Sequence, residues 1–110
     1  MTITIDDFQR LDMRVGVIVD VADLPGARKP SYKLRIDFGS LGRRESVAAL
    51  KTEYAREELL NRQVVCILNL PPRRVAGVSS EVLVLAATEA DGKLRLLAPD
   101  PAAELGSRIT

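Results

Sequence analysis

The hydrophobic pattern of residues 13–23 alternates and predicts a β-strand. Apolar side chains recur at every second position of this stretch, namely Met13, Val15, Val17, Val19 and Val21. Ile18 lies on the other face, among polar or small residues. A period of two is typical of a half-buried strand. Gly16 inside the strand predicts a bulge or a sharp bend of the kind that closed barrels need.

A second alternating stretch, residues 32–39, predicts a strand with a clear inward face. Its apolar side chains, which we expect to face inward, are Tyr32, Leu34, Ile36 and Phe38. The charged side chains between them, which we expect to face outward, are Lys33, Arg35 and Asp37. Further strands are predicted at 45–50, 63–70, 80–87 and 93–99. The nearly continuous apolar run of 63–70 favours a central strand, and the Asp-Gly pair at 91–92 predicts a hairpin turn.

Two short helices complete the predicted order. Residues 4–12 begin with Thr4, and Asp7 three positions later resembles a capping box. Residues 53–60 read as one or two helical turns that end at Asn61. Three strands, a helix and two more strands is the order of the five-stranded OB-fold barrel, although this pattern alone leaves other small barrels open. We therefore predict one all-β domain over residues 1–110.

Composition favours a binding module over an enzyme. The chain of 110 residues has no histidine and one cysteine, Cys66. It therefore lacks the commonest general base and the usual zinc ligands, and we expect no metal, no cofactor and no catalytic residues. Cys66 lies within an apolar run and is expected to be buried in the core. The single cysteine and the absence of a signal-like or membrane-spanning apolar segment lead us to expect a cytoplasmic protein.

Positive charge is concentrated in two segments of a nearly neutral chain. The net charge is +1, but residues 24–44 carry six basic side chains and one acidic side chain. Residues 69–80 carry Arg73 and Arg74 and no acidic side chain. A basic face on a neutral protein attracts phosphate locally. This distribution therefore keeps nucleic acid among the candidate ligands.

Four sequence blocks together resemble the tRNA-binding domain family. They read "LDMRVGVIVDV", "ARKPSYKLRIDFG", "EELLNRQVV" and "NLPPRRVAGVSSEVLVL". The second and fourth resemble most closely the CsaA-type members, which are described as protein-secretion chaperones. The resemblance implies an OB-fold with amino- and carboxy-terminal additions used in dimerisation. It also implies two kinds of partner, structured tRNA and unfolded or pre-secretory polypeptide.

The resemblance also implies a set of RNA-binding residues. Carried over from the family's functional region, or adjacent to it on the second strand, they are Lys33, Arg35, Asn69, Arg73, Arg74, Ser80 and Glu81. Pro71 and Pro72 fix the backbone in front of the two arginines, and guanidinium groups match phosphate oxygens two at a time. A solvated proline-rich loop is the alternative interpretation. For Arg28 and Lys29, solubility is the better interpretation.

Two departures from the family pattern reduce what the resemblance implies. CsaA-like sequences often have serine-alanine-glutamine where this chain has Val47, Ala48 and Ala49, so a polar ligand contact there is doubtful. Ala55 and Arg56 replace a threonine-proline start of the second helix, which weakens its cap.

Two functions remain open at this point. The first is a tRNA-binding module that recognises shape and phosphates, because four aromatic residues are too few for a base-stacking platform. The second is a chaperone that holds unfolded precursors in a groove at the dimer. We expect a homodimer in which apolar residues of the carboxy-terminal part cover one another, namely Leu94, Leu96, Leu97, Leu105 and Ile109.

Overall fold

The computed structural model describes residues 1–110 and consists mainly of short antiparallel strands. The two α-helices are α1 (Ile5–Gln9) and α2 (Arg56–Leu59), and a 3₁₀ turn covers Gly39–Leu41. The strands are β1 (Met13–Asp23), β2 (Tyr32–Asp37), β3 (Arg43–Ala48), β4 (Gln63–Ile67), β5 (Arg73–Val75), β6 (Val78–Ser80), β7 (Leu83–Val84), β8 (Ala86–Thr88) and β9 (Leu94–Leu96). No helix is long and apolar enough to cross a membrane.

Five strands form a nearly closed antiparallel barrel in the order β3-β2-β1-β4-β7. The seam between β3 and residues 80–82 is closed by separate hydrogen bonds. The Glu81 N–H donates to the Glu45 carbonyl at 2.8 Å, and the Ser46 hydroxyl donates to the Val82 carbonyl at 2.7 Å. The α2 helix lies between β3 and β4 in the chain. This arrangement confirms the predicted OB-fold.

The barrel interior is apolar and follows the predicted pattern of β2. Tyr32, Leu34, Ile36 and Phe38 are all buried in the core, and Arg35 between them is exposed. Cys66 is fully buried in the same core. Burial raises the pKa of the Cys66 thiol to about 12, as expected for a thiolate denied water. Cys66 therefore acts as a small hydrophobic residue.

In β1 the alternation is interrupted by a bulge. The pairing of β1 with β2 shifts between Ile18 and Asp20, so Val19 is the extra residue. Ile18 and Val21 consequently both belong to the core cluster, although the sequence pattern placed them on opposite faces. Gly16 lies beside the bulge, and a Cβ there would approach Ile36 Cγ2 to 2.6 Å. Glycine is needed at this position because β2 packs against its backbone.

The carboxy-terminal half differs from the predicted strands. The predicted strand 63–70 ends at Ile67, and the predicted strand 80–87 is divided into β7 and β8. A short hairpin, β5–β6, lies between them and was not predicted. The Asp-Gly turn is confirmed, since it joins β8 to β9 and Gly92 has a φ of 89°.

The ends of the two helices agree with the sequence analysis. The Thr4 hydroxyl accepts from the Asp7 N–H at 3.2 Å, and the Thr4 N–H donates to Asp7 at 3.1 Å. Ala55 offers no side-chain cap to α2, although the Glu58 carboxylate accepts from the Ala55 N–H at 2.7 Å. Asn61 follows α2 with a φ of 67°, which confirms its left-handed conformation.

The carboxy-terminal segment lies along β1. The Val15 N–H donates to the Ser107 carbonyl at 3.0 Å, and the Ile109 N–H donates to the Met13 carbonyl at 3.0 Å. These bonds place the terminal residues beside α1, where Phe8 and Ile109 line a common cleft. The predicted additions to the barrel are therefore present at both ends of the chain.

Candidate nucleic-acid interface

One open cavity collects positive charge from two distant parts of the chain. Its volume is about 760 Å³. The loop between β1 and β2 contributes Arg28 and Lys29, and the β5–β6 hairpin contributes Arg73 and Arg74. We call it the cationic cavity. Small and apolar side chains make up most of the remaining lining, namely Ala27, Val47, Ala49, Val75 and Ala76.

The β5–β6 hairpin holds its two arginines by a tight turn. Ala76 and Gly77 form the turn with φ values of 48° and 83°, and positive φ at both central positions is the requirement of a type I′ turn. The hairpin is attached to the barrel because the Ser80 hydroxyl accepts from the Val47 N–H at 2.9 Å. The arginines are therefore displayed from a short ladder fixed to β3.

None of the four cations of the cationic cavity has an acidic partner. Arg28, Lys29, Arg73 and Arg74 take part in no ion pair. No aspartate or glutamate lines the cavity. The guanidinium of Arg74 donates to the Gly77 carbonyl at 2.9 Å, which keeps it close to its own hairpin. Four uncompensated charges around one concave surface make a site for an anion.

Lys33 and Arg35 have a different environment, on the outer face of β2. Arg35 lies opposite Glu45 of β3 in the strand register. Glu45 Oε1 lies 3.6 Å from Arg35 Nη2, and its Oε2 lies 3.5 Å from Lys33 Nζ. We call these three residues the β2–β3 face. One carboxylate is shared by both predicted ligand residues, so the net charge of this face is +1.

Asn69 and Ser80 use their polar groups within the protein. The Asn69 Oδ1 accepts from the Asp12 N–H at 2.8 Å, and its Nδ2 donates to the Arg10 carbonyl at 2.7 Å. Asn69 thus ties the end of α1 to the chain that leaves β4. The Ser80 side chain is buried and bound to Val47 and Ser46. Both residues hold the surroundings of the two arginines in place.

A second cavity, of about 590 Å³, adjoins the first at Arg73. Its lining includes the stiff segment of Leu70, Pro71 and Pro72 together with Val82 and Leu83. Glu81 lies in it as well, and its Oε1 accepts from the Glu45 N–H at 2.9 Å. We call it the proline groove. It is more apolar than the cationic cavity, and its charged side chains are Arg73 and Glu81.

Sequence reasoning did not place Arg28 and Lys29 in this cavity. It interpreted both as solubilising charges, whereas the structure places them beside Arg73 and Arg74. The available signal was the absence of any acidic residue between Asp23 and Asp37. Elsewhere no group of three or more potential metal-ligating side chains comes together.

Comparison with known proteins identifies the family. The sequence model described as "Putative tRNA binding domain" matches residues 13–108. The chain belongs to this tRNA-binding domain family. The match includes both segments that form the cationic cavity of the domain.

Similar proteins of two kinds share this tRNA-binding domain. The chain is 45% identical over 104 residues to the methionine–tRNA ligase of Thermococcus onnurineus, covering 94% of this chain and 14% of the ligase. The chain thus spans about one seventh of the length of that relative. The crystal structure of the CsaA chaperone protein from Picrophilus torridus is 44% identical, with a TM-score of 0.91, and covers 99% of this chain and 100% of that one. The chaperone CsaA from Bacillus anthracis is 38% identical, with a TM-score of 0.94 and complete coverage of both chains.

Proposed function

We propose that this domain binds structured RNA, with tRNA as its ligand, through phosphate contacts in the cationic cavity. The observation that carries the proposal is the set of four unpaired cations around a cavity without an acidic side chain. Such a site attracts a polyanion such as RNA strongly, because each phosphate contact also releases counterions from the RNA. Family membership names tRNA as the ligand class.

The lining of the cavity supports recognition by charge and shape. It contains no aromatic ring on which a base would stack, in contrast to proteins that bind single strands. Arg73 and Arg74 present planar donors to the two free oxygens of a phosphate. Arg28 and Lys29 face the same space from the opposite chain segment. We therefore expect little sequence preference.

The other predicted RNA-binding residues take graded roles in this proposal. Lys33 and Arg35 contribute less than the cavity cations because Glu45 neutralises part of their charge. Asn69 and Ser80 act by positioning the chain that carries the arginines. Glu81 closes the barrel seam through its hydrogen bond to Glu45, and it marks the acidic edge of the site.

The deciding experiment removes the two hairpin arginines together. We expect Arg73→Ala with Arg74→Ala to weaken tRNA binding at least about tenfold, since each arginine donates charge-assisted hydrogen bonds to phosphate. The slope of log affinity against log salt should fall by about 0.7–0.9 for each phosphate that the variant no longer neutralises. Affinity would be measured by filter binding or fluorescence anisotropy over a series of salt concentrations.

The matched control removes two cations elsewhere. Lys93 and Arg95 on the β8–β9 hairpin are paired with Asp91 and Glu89, so Lys93→Ala with Arg95→Ala makes the same change in basic charge outside the cavity. If the cavity variant and this control bind tRNA equally well, the cationic cavity is not the RNA site.

A second function, the holding of unfolded polypeptide, is favoured by the proline groove. Two of its apolar side chains, Leu70 and Leu83, are 38% and 41% exposed, and exposed apolar surface next to a groove is a site for apolar segments. The similar full-length structures are described as chaperones. Under this proposal Leu83→Ser reduces suppression of client aggregation without changing tRNA affinity. Failure of the unmodified protein to suppress aggregation at stoichiometric amounts would contradict it.

Homodimerisation through the terminal additions belongs to the same proposal. Ile3 before α1 and Ile5 at the first position of α1 are 66% and 67% exposed, and Leu97 near the carboxy terminus is 44% exposed. A two-fold contact would cover such side chains and duplicate the cationic cavity. Sedimentation equilibrium at micromolar concentration would detect the dimer, and a monomer there would contradict it.

A further inference from the structure

The carboxylate of Glu45 is the centre of the β2–β3 face. Its two oxygens are shared between two cations, with Arg35 Nη2 at 3.6 Å and Lys33 Nζ at 3.5 Å. The cations remain accessible, with side-chain exposures of 50% and 40%. Lys33 and Arg35 are therefore reachable by a ligand and are held by one acid.

The position of Glu45 is fixed by the fold on both sides of its strand. Arg35 is its direct partner in the β2–β3 ladder. On the other side, Glu45 exchanges two hydrogen bonds with Glu81, one from each backbone N–H, at 2.8 and 2.9 Å. The carboxylate of Glu81 is thus held beside the same seam. Glu81 itself lines the proline groove, so the two linked acids lead from the β2 cations to that groove.

We propose that Glu45 determines where RNA binds, by withholding Lys33 and Arg35 from phosphate. This inference rests on the proposed function of the cationic cavity. A phosphate that approaches the β2–β3 face must displace a carboxylate or lie close to it, and like charges in proximity oppose binding. A phosphate that approaches the cavity meets no such group.

Glu45 thereby limits the surface area over which RNA can make phosphate contacts. Single arginines without an acidic partner, namely Arg44, Arg62 and Arg108, lie elsewhere. With Glu45 in place the cationic cavity is the one cluster of four such cations, so strong binding requires phosphates that fit a concave surface. Without Glu45 the positive surface would extend over β2, and any flexible or linear RNA would find additional cations to bind. Specificity achieved by repulsion is a general device of binding sites. Glu45 would thus favour folded RNA over extended RNA.

The test is Glu45→Gln, which keeps the shape of the side chain and removes its charge. We expect this variant to bind an unstructured RNA oligonucleotide about fivefold more tightly than the unmodified protein because two cations are released. The salt slope should become steeper by about 0.7 for each additional single-strand phosphate that is neutralised. Glu57→Gln is the matched control, since Glu57 is exposed on α2, has no ion pair and makes the same charge change.

A double-mutant cycle identifies the cause of any increase in affinity. Replacing Lys33 and Arg35 by alanine should weaken binding of the same oligonucleotide less than about threefold when Glu45 is present. In the Glu45→Gln background the same replacement should abolish the increase in affinity. An increase that survives removal of both cations overturns the proposal, as does an increase equal to that of Glu57→Gln. If Glu45→Gln fails to fold, Glu45→Thr, which suits a strand, takes its place.

The inference and the proposed function fail in distinguishable ways. If Arg73→Ala with Arg74→Ala weakens tRNA binding and Glu45→Gln leaves the affinity for unstructured RNA unchanged, the cavity is the RNA site and Glu45 has no role in selecting its ligand. If the arginine variant binds tRNA normally, the cavity itself is wrong, whatever Glu45→Gln does.

Discussion

The cationic cavity and the β2–β3 face contain the same kinds of residue in opposite electrostatic states. Each presents lysine and arginine side chains that a ligand can reach. In the cavity all four cations lack an acidic partner, whereas on the β2–β3 face both cations share Glu45. The cavity has four cations and the β2–β3 face has two, and only the face has a carboxylate within ion-pair distance of its cations.

The difference follows from how each region is built. On adjacent antiparallel strands the side chains lie directly opposite one another, so Glu45 is brought to Arg35 by the register itself. The cavity is made from a loop and a hairpin outside the barrel ladder, and no acid is brought opposite its cations. Loops and hairpins attached to a barrel can therefore keep charge available for a ligand, while its strands tend to neutralise their own.

The most direct test of this difference is to remove two cations from each region and compare the loss of tRNA affinity. Arg28→Ala with Lys29→Ala should weaken tRNA binding about tenfold, because two unpaired cations face the ligand there. Lys33→Ala with Arg35→Ala should weaken it less than about threefold, because Glu45 already compensates these two. Binding titrations at a fixed low salt concentration would compare the two variants side by side. Equal decreases in affinity would contradict the distinction between the regions.

A smaller effect should follow from giving the cavity a carboxylate of its own. Ala49 lines the cavity together with Arg73 and Arg74, so Ala49→Glu would make the cavity resemble the β2–β3 face. We expect tRNA affinity to fall about fivefold, by an amount that diminishes as salt is raised. Ala49→Gln has nearly the same size without the charge and should retain affinity within about twofold. A similar decrease in both variants would mean that the cavity is blocked by size.

The smallest effect concerns the stiffness of the hairpin that carries the arginines. Ala76 has a φ of 48°, which is costly for alanine and well tolerated by asparagine. We expect Ala76→Asn to raise the free energy of unfolding by about 0.5–1 kcal/mol. Urea denaturation would measure the change. Ala102→Asn, at an exposed position without positive φ, should not raise it.

Much of the barrel was predictable because its signals are local. The alternation of Tyr32, Leu34, Ile36 and Phe38 has the period of a strand, and the structure buries all four. The Thr4 cap and the turn at Gly92 depend on residues within a few positions of one another. In β1 the sequence indicated a bulge or bend through Gly16 but not its position at Val19, so Ile18 was assigned to the wrong face.

The site was predictable only in part because it depends on contacts across the fold. The hairpin arginines were identified, but the β5–β6 pairing was missed since Ala76-Gly77 is a weaker turn signal than Asn-Gly. Convergence of Arg28 with Arg74 joins segments that lie far apart in the chain. The pairing of Lys33 with Glu45 depends on a strand register that the sequence does not state.

The seam between β3 and residues 80–82 couples ligand binding in the cavity to the stability of the barrel. The hairpin is attached beside that seam through the Ser80–Val47 bond, and the loop bearing Arg28 lies across the cavity from it. Any opening of the seam draws the two walls apart. A ligand that bridges both walls of the cavity should therefore oppose opening of the seam. The amide hydrogens of Val47 and Glu81 should then exchange with solvent more slowly once RNA is bound.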